Sequence, residues 1–446
     1  MKTIALSVAL GLLTVHPIAA EASSNGKPTF AEFSKKRLKE YHTFKNEYLS
    51  RYQQFKAEVR AKWGVADVSS SSEFIHYSDD MNVKLIGDFQ NDFVEVSILD
   101  TEGLSEQQIS QKIEQTLALS LDKPIDEVVK ADPVLSALPK APSSPLAAAN
   151  NTLLDYLSSD ISTSPQILSQ KAILVTPPNP GQALIDKNVG KLEQQIQQLE
   201  HYTEQVSHAN LKERMRQKDE MADAKNLITE LEKEKETLTT ADADKVNALL
   251  GKNMKTYRIS LDGARVKRAE HFLASVKNNA NKWQLDPELI LAIMETESSF
   301  NPVAQSPIPA FGLMQVVPST AGLDVNRRKF QDNNKPSQAT LFNSTENIKF
   351  GSAYLNILLT SYLNEVKNPV SRLYCAIAAY NTGIGNLARA FNKGDKNRKK
   401  AIAVINTLTP DEVYQVIQKR THTETQRYLV KVLNSKQYFA EKVQSL

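Results

Sequence analysis

The sequence holds one cysteine in 446 residues, Cys375, so no intramolecular disulfide can form. Cys375 sits in the apolar run Leu373 to Ala379, where it reads as a small buried hydrophobe rather than a reactive thiol. No Cys/His cluster of ligand spacing occurs, and the seven histidines are scattered without a paired nucleophile. We therefore expect no metal and no cofactor. Long apolar runs are also lacking: the stretch from Ile4 to Leu13 is too short to span a bilayer. Charge of one sign is lacking too. A net charge of +3 is too small to argue for nucleic acid.

What is present divides the chain. Residues 1–22 carry Lys2, the short apolar run, Pro17 and small residues at Ala19, Ala20 and Ala22, the pattern of a secretory signal. An exported, periplasmic location is expected, open to attachment at the periphery of the outer membrane but without a lipoprotein cysteine. From Ala31 to Trp63 nine Lys/Arg face four Glu. Tyr41, Phe44, Tyr48, Tyr52, Phe55, Val59 and Trp63 recur at helical spacing among them, giving one apolar and one basic face. Such a helix can contact a membrane or wall surface, but more often it packs on a neighbouring sheet. Strands are expected over Glu73–Tyr77, Met81–Phe89, Phe93–Leu99 and Lys171–Val175. Ser105 with Gln108 forms a capping box opening a helix to about Leu121. Pro133, Pro139, Pro142 and Pro145 punctuate a loop. Residues 30–176 thus read as a small α+β domain.

Residues 182–252 form a polar insertion in which Val189, Leu192, Ile196, Leu199 and Val206 step at heptad spacing, resumed by Leu227, Ile228, Leu231 and Leu238. The polar stretch His208 to Asp219 interrupts the heptads, so a helical hairpin or protruding coiled-coil-like arm is expected, or else a solvated spacer. Tyr257, Ile259 and Leu261 alternate like a strand that returns to the first sheet.

Asp286 to Gln315 carries the chemistry. Asp286-Pro287 starts a helix expected to run to about Ser298, and Asn301-Pro302 ends it. Leu289 to Met294 is apolar on every side, so the helix is buried. Glu295 and Glu297 close it, about 200° apart on a helix of 3.6 residues per turn, so at most one faces a given cleft. A carboxyl there loses water, which raises its pKa and suits a general acid. Spacing does not choose between the two.

Glu-Ser-Ser-Phe-Asn-Pro at 297–302, followed by Ser306 to Gln315, then Ala379 to Gly383 and Glu424 to Val430, resembles the lytic murein transglycosylase family with its goose-lysozyme-like SLT domain. The resemblance is strong from about Ala264 to Tyr438 and traceable from Ala31 to Thr176. It departs at the missing lipoprotein cysteine, at the insertion, and at Pro309, where the family usually has glycine. It implies a mostly α-helical lysozyme-like catalytic domain over residues 262–446, preceded by the α+β domain with its helical insertion. It also implies that Glu297 is the catalytic acid. Ser306 would bond Glu297, Gln315, Tyr380 and Asn381 would line the saccharide sites, and Tyr428 would tune protonation. The implied substrate is the β-1,4 bond between N-acetylmuramic acid and N-acetylglucosamine in peptidoglycan glycan strands, cleaved without water to leave a 1,6-anhydro ring. From Ser298 to Leu323 there is no Asp or Glu, which fits a single-carboxylate enzyme. The alternatives are a hydrolytic muramidase and a non-catalytic wall-binding scaffold.

Overall fold

A computed structural model describes residues 53–124, 127, 152–157, 164–207, 218–251, 253–261, 264–306 and 310–443. The signal-like segment, the proline-punctuated loop and Pro309 lie outside the described residues, as do Tyr41, Phe44, Tyr48 and Tyr52.

The sheet has five antiparallel strands, β1 (Glu73–Tyr77), β2 (Val83–Asp88), β3 (Phe93–Ile98), β4 (Ile173–Leu174) and β5 (Lys255–Ser260), in the order β1-β2-β3-β5-β4. The returning strand expected at Tyr257 is β5, with Val96 opposite Tyr257 and Val94 opposite Ile259. The strand expected over Lys171–Val175 is reduced to two residues, because a helix over Pro165–Gln170 runs to Lys171 and leaves only Ile173 and Leu174 free to pair.

Period-two alternation gives the sheet two apolar faces. Phe74, Leu85, Val94, Val96 and Ile259 form one face. It packs on the helix Glu106–Ser120, whose Ser105 and Gln108 make the expected reciprocal cap, and on Leu153, Leu154 and Leu157. The same core continues without a break into the helices Ala264–Trp283, Pro287–Ser298, Ser344–Ile357, Pro369–Phe391 and Thr423–Val443. Ile75, Tyr77 and Ile86 form the other face, in a second core.

That second core settles the N-terminal amphipathic helix over its described part, 53–63. Phe55, Val59 and Trp63 are buried, the two rings lie edge-on to Tyr77, and Trp63 Nε1 donates to Met81 O at 2.9 Å. Here the apolar face serves the sheet.

The insertion fills the rest. Helices Pro180–Ser207 and Lys218–Thr239 pack along each other through Leu192, Ile196, Leu199, Leu231 and Leu238. Gly181 N donates to Asn247 Oδ1 and Lys235 pairs with Glu193, so positions rising along one arm meet positions falling along the other. That is an antiparallel hairpin. It is neither a solvated spacer nor a free arm, because Leu184 and Ile185 are buried in the second core. A charge cluster seals the contact. Asp67, fully buried, meets Lys191 at 2.6 Å, Lys187 at 3.5 Å and Lys84 at 3.5 Å, and Glu73 meets Lys191 at 2.6 Å. Burial would raise the Asp67 pKa, but the three ammonium groups overcome it and hold the carboxyl well below its usual range.

Candidate active site

Helix Pro287–Ser298 begins as expected at Pro287, but Asp286 makes no side-chain cap. Its carboxylate turns instead to Lys436 at 3.0 Å. The helix ends at Ser298, as expected, and what stops it is the left-handed pair Ser299 (φ 51°) and Phe300 (φ 64°), ahead of Asn301-Pro302. Two non-glycine residues at positive φ are strained. The burial of Phe300 explains the turn: its ring is fully enclosed, stacked on Phe272 and edge-on to Phe439. Leaving the helix there presents the carboxylates at its last turn.

The two glutamates separate as their angular spacing requires. Glu295 turns to Arg265, whose Nη2 donates to it at 2.7 Å, and accepts from Ser435. It is a structural ion pair. Glu297 opens on a cleft of about 550 Å³ and accepts a hydrogen bond from Tyr428 Oη at 2.7 Å. Ser306, Gln315, Tyr380, Asn381 and Tyr428 line the same cleft, so all six residues singled out in the sequence converge on one space.

The site favours the neutral acid. Burial pushes the Glu297 pKa up to about 8; the Tyr428 bond pulls against that, and the neighbouring Glu424 charge adds to it. Tyr428 and Tyr380 are themselves held neutral, raised first by burial and then by Glu297. Glu297 remains half-buried, its open side toward the cleft.

The other groups are held rather than free. Tyr380 Oη donates to Met314 O at 3.0 Å, and Gln315 Nε2 donates to Gly312 O at 2.9 Å and Ala304 O at 3.2 Å. Ser298 Oγ donates to Leu313 O at 2.8 Å, so helix Pro287–Ser298 and the loop over 310–317 are sewn together. Gly312 has φ 71°, and a Cβ there would lie 2.4 Å from Leu341 O, so only glycine fits. Asn381 sits just before the helix break at Gly383 (φ 80°). It accepts from Thr425 Oγ1 at 2.7 Å and donates to Glu424 at 3.4 Å.

Three features escaped the sequence reading. Asn347 is fully buried and pins the loop, accepting from Met314 N and donating to Phe311 O and Leu341 O. Its signal was weak, one polar residue among several on helix Ser344–Ile357. Glu424 is a second carboxyl in the cleft, with its pKa raised by burial and opposed by Asn381. It lay inside a recognised block, yet its nearness to Glu297 needed the fold. The third is the insertion itself, whose Gly190, Gln194, Gln197 and Gln198 line the cleft wall facing the sheet turn residues Ser71 and Gln90. Among the described residues no group of three or more His, Cys, Asp or Glu could hold a metal ion.

Residues 274–403 match the sequence model of the transglycosylase SLT domain. Over that stretch the chain is similar to transglycosylase SLT domains. It is 47% identical over 167 residues to membrane-bound lytic murein transglycosylase C of Yersinia pestis and of Yersinia pseudotuberculosis, covering 37% of this chain and 46% of each relative. The matched region thus spans under half the length of those relatives. Among solved structures, an inactive mutant of lytic transglycosylase Slt from Pseudomonas aeruginosa is 18% identical, with 77% of this chain and 53% of that chain covered at a TM-score of 0.30. That score is too low for the two architectures to be equated. No helix among the described residues is long and apolar enough to cross a membrane.

Proposed function

We propose that the chain is a peptidoglycan lytic transglycosylase that cleaves the β-1,4 bond between N-acetylmuramic acid and N-acetylglucosamine with Glu297 as its acid. The observation that carries this reading is the Glu297 carboxyl, protonated near neutral pH at about 8 and open to a cleft walled by sugar-compatible hydroxyl and amide groups. Glu297 donates its proton to the glycosidic oxygen, the bond to C1 breaks, and an oxocarbenium-like centre develops. Glu297, now a carboxylate, takes the proton of the muramic C6 hydroxyl while that oxygen bonds C1. The 1,6-anhydro ring closes, no water enters, and the acid is restored. Tyr428 stabilises the transient carboxylate by the bond it already donates. Ser306 is assigned a second bond to Glu297, and Gln315, Tyr380 and Asn381 are assigned to the saccharide walls.

Glu424 is the group a hydrolase would need as a second carboxylate. Burial disfavours its charged form, an effect the bond from Asn381 opposes without reversing, and this favours intramolecular attack over the muramidase reading. The remaining assignments belong to the same proposal: a signal over 1–22, an α+β domain over 30–176, an insertion over 182–252 and the catalytic domain over 262–446. Export to the periplasm goes with them. The named relatives are membrane-bound transglycosylases.

The direct test compares release of soluble muropeptides from purified sacculi by the parent and by Glu297→Gln. Loss of a general acid should lower the rate about 10²–10⁴-fold. Equal rates would remove Glu297 from the chemistry, and no release by either chain would favour the scaffold.

A further inference from the structure

The cleft does not end beside Glu297. A second cavity of about 230 Å³ adjoins it, and the two share Ser71, Gln90, Gln194, Gln198 and Ser306 on their walls. Gln194 and Gln198 stand four residues apart on one side of helix Pro180–Ser207, while Leu192, Ile196 and Leu199 bury the other. The inserted helix is therefore wall and core element at once.

The chemistry of this space is neutral. Lys187 and Lys191 reach it, but Lys191 is held by Asp67 and Glu73 at 2.6 Å each, and Lys187 by Glu73 at 3.0 Å. Asp88 also lines it, with its carboxylate taken up by Gln90 N, Asn91 N and Asn91 Nδ2 at 2.9 Å each. The rest of the lining is mainly amide and hydroxyl, groups that both donate and accept. That set suits a hydroxyl- and acetamido-bearing sugar and suits neither a free anion nor an apolar group. Gly190 lies one turn before Gln194 on the wall of the first cleft, and a Cβ there would meet nothing within 4 Å.

We propose that the second cavity is an additional subsite for an N-acetylated sugar of the same glycan strand, with Gln194 and Gln198 of the inserted helix as specificity-determining residues. The proposal rests on the lytic transglycosylase reading of the cleft. Two amide hydrogen bonds at ordinary net strength correspond to about tenfold in affinity. Strands long enough to reach the subsite gain it, and shorter ones do not.

The test is calorimetric binding of peptide-free glycan oligomers of two and four disaccharide repeats to the full chain carrying Glu297→Gln, which holds substrate without turnover. The longer oligomer should bind about tenfold tighter. Adding Gln194→Ala with Gln198→Ala should bring the two affinities within about twofold. Retained helical circular dichroism shows that this double variant is folded. A length preference unchanged in it overturns the subsite. A preference that appears only when stem peptides are attached overturns its assignment to sugar. If neither oligomer binds and the parent releases nothing from sacculi, the lytic transglycosylase reading falls as well; an active parent with no length preference sinks the subsite alone.

Discussion

Glu297 sits where its neutral form is preferred, and the pH dependence follows. Activity that needs its proton should fall as pH rises through about 8. Tyr428 donates to the charged form, so Tyr428→Phe should move that limb to higher pH. Removing the like charge with Glu424→Gln should move it lower. A pH–rate profile of the three proteins checks the order, and a limb that stays fixed in both variants contradicts it. The same raised pKa has a stability consequence. The carboxyl contributes fully below its ordinary value near 4.5 and loses that contribution as pH rises through about 8, so Glu297→Gln should lose less stability than the parent over that window. Gly312→Ala should cost at least ~1 kcal/mol in denaturant unfolding, since it combines positive φ with a backbone clash.

At the scale of elements, the insertion is fastened through buried charge rather than through its heptads alone. Asp67→Ala leaves Lys84, Lys187 and Lys191 without their shared partner and should cost about 3–5 kcal/mol by urea unfolding. Because the Asp67 pKa is depressed in the fold, its contribution is present above its ordinary value of 3.8 and is lost as pH falls through the lower folded value. A loss below about 1 kcal/mol would mean that apolar packing alone holds the hairpin. Elements differed in how far they could be read in advance. The helix Pro287–Ser298 was legible because its signals are local: a proline at its start, an apolar body and a motif at its end. Its stop near Ser298 was legible too, but the left-handed turn that makes the stop was not, because the burial of Phe300 depends on Phe272 and Phe439, distant in sequence. The insertion's heptads announced a partner helix but not where the pair would dock. Nothing in the spacing of Gln194 and Gln198 says that they face Glu297 rather than solvent.

At the scale of the molecule, the sheet and the catalytic helices share one continuous core, joined further by Arg268 to Phe89 O and Asp92 and by Asn301 Nδ2 to Ser71 O. Scanning calorimetry should therefore show the two regions unfolding in one transition, and two resolved transitions would contradict the shared core. This arrangement brings Ser71 and Gln90 to the cleft beside the inserted helix, so the cleft walls are built by three regions of sequence. On the proposed reading a single buried acid acts within them, and water is not a reactant. Digestion of sacculi in oxygen-18 water, read by mass spectrometry of the released muropeptides, tests that claim most directly. The account predicts 1,6-anhydro ends without label from the parent, and their loss in Glu297→Gln. Reducing ends carrying one labelled oxygen would show that water attacks, with Glu424 as the carboxyl to examine next.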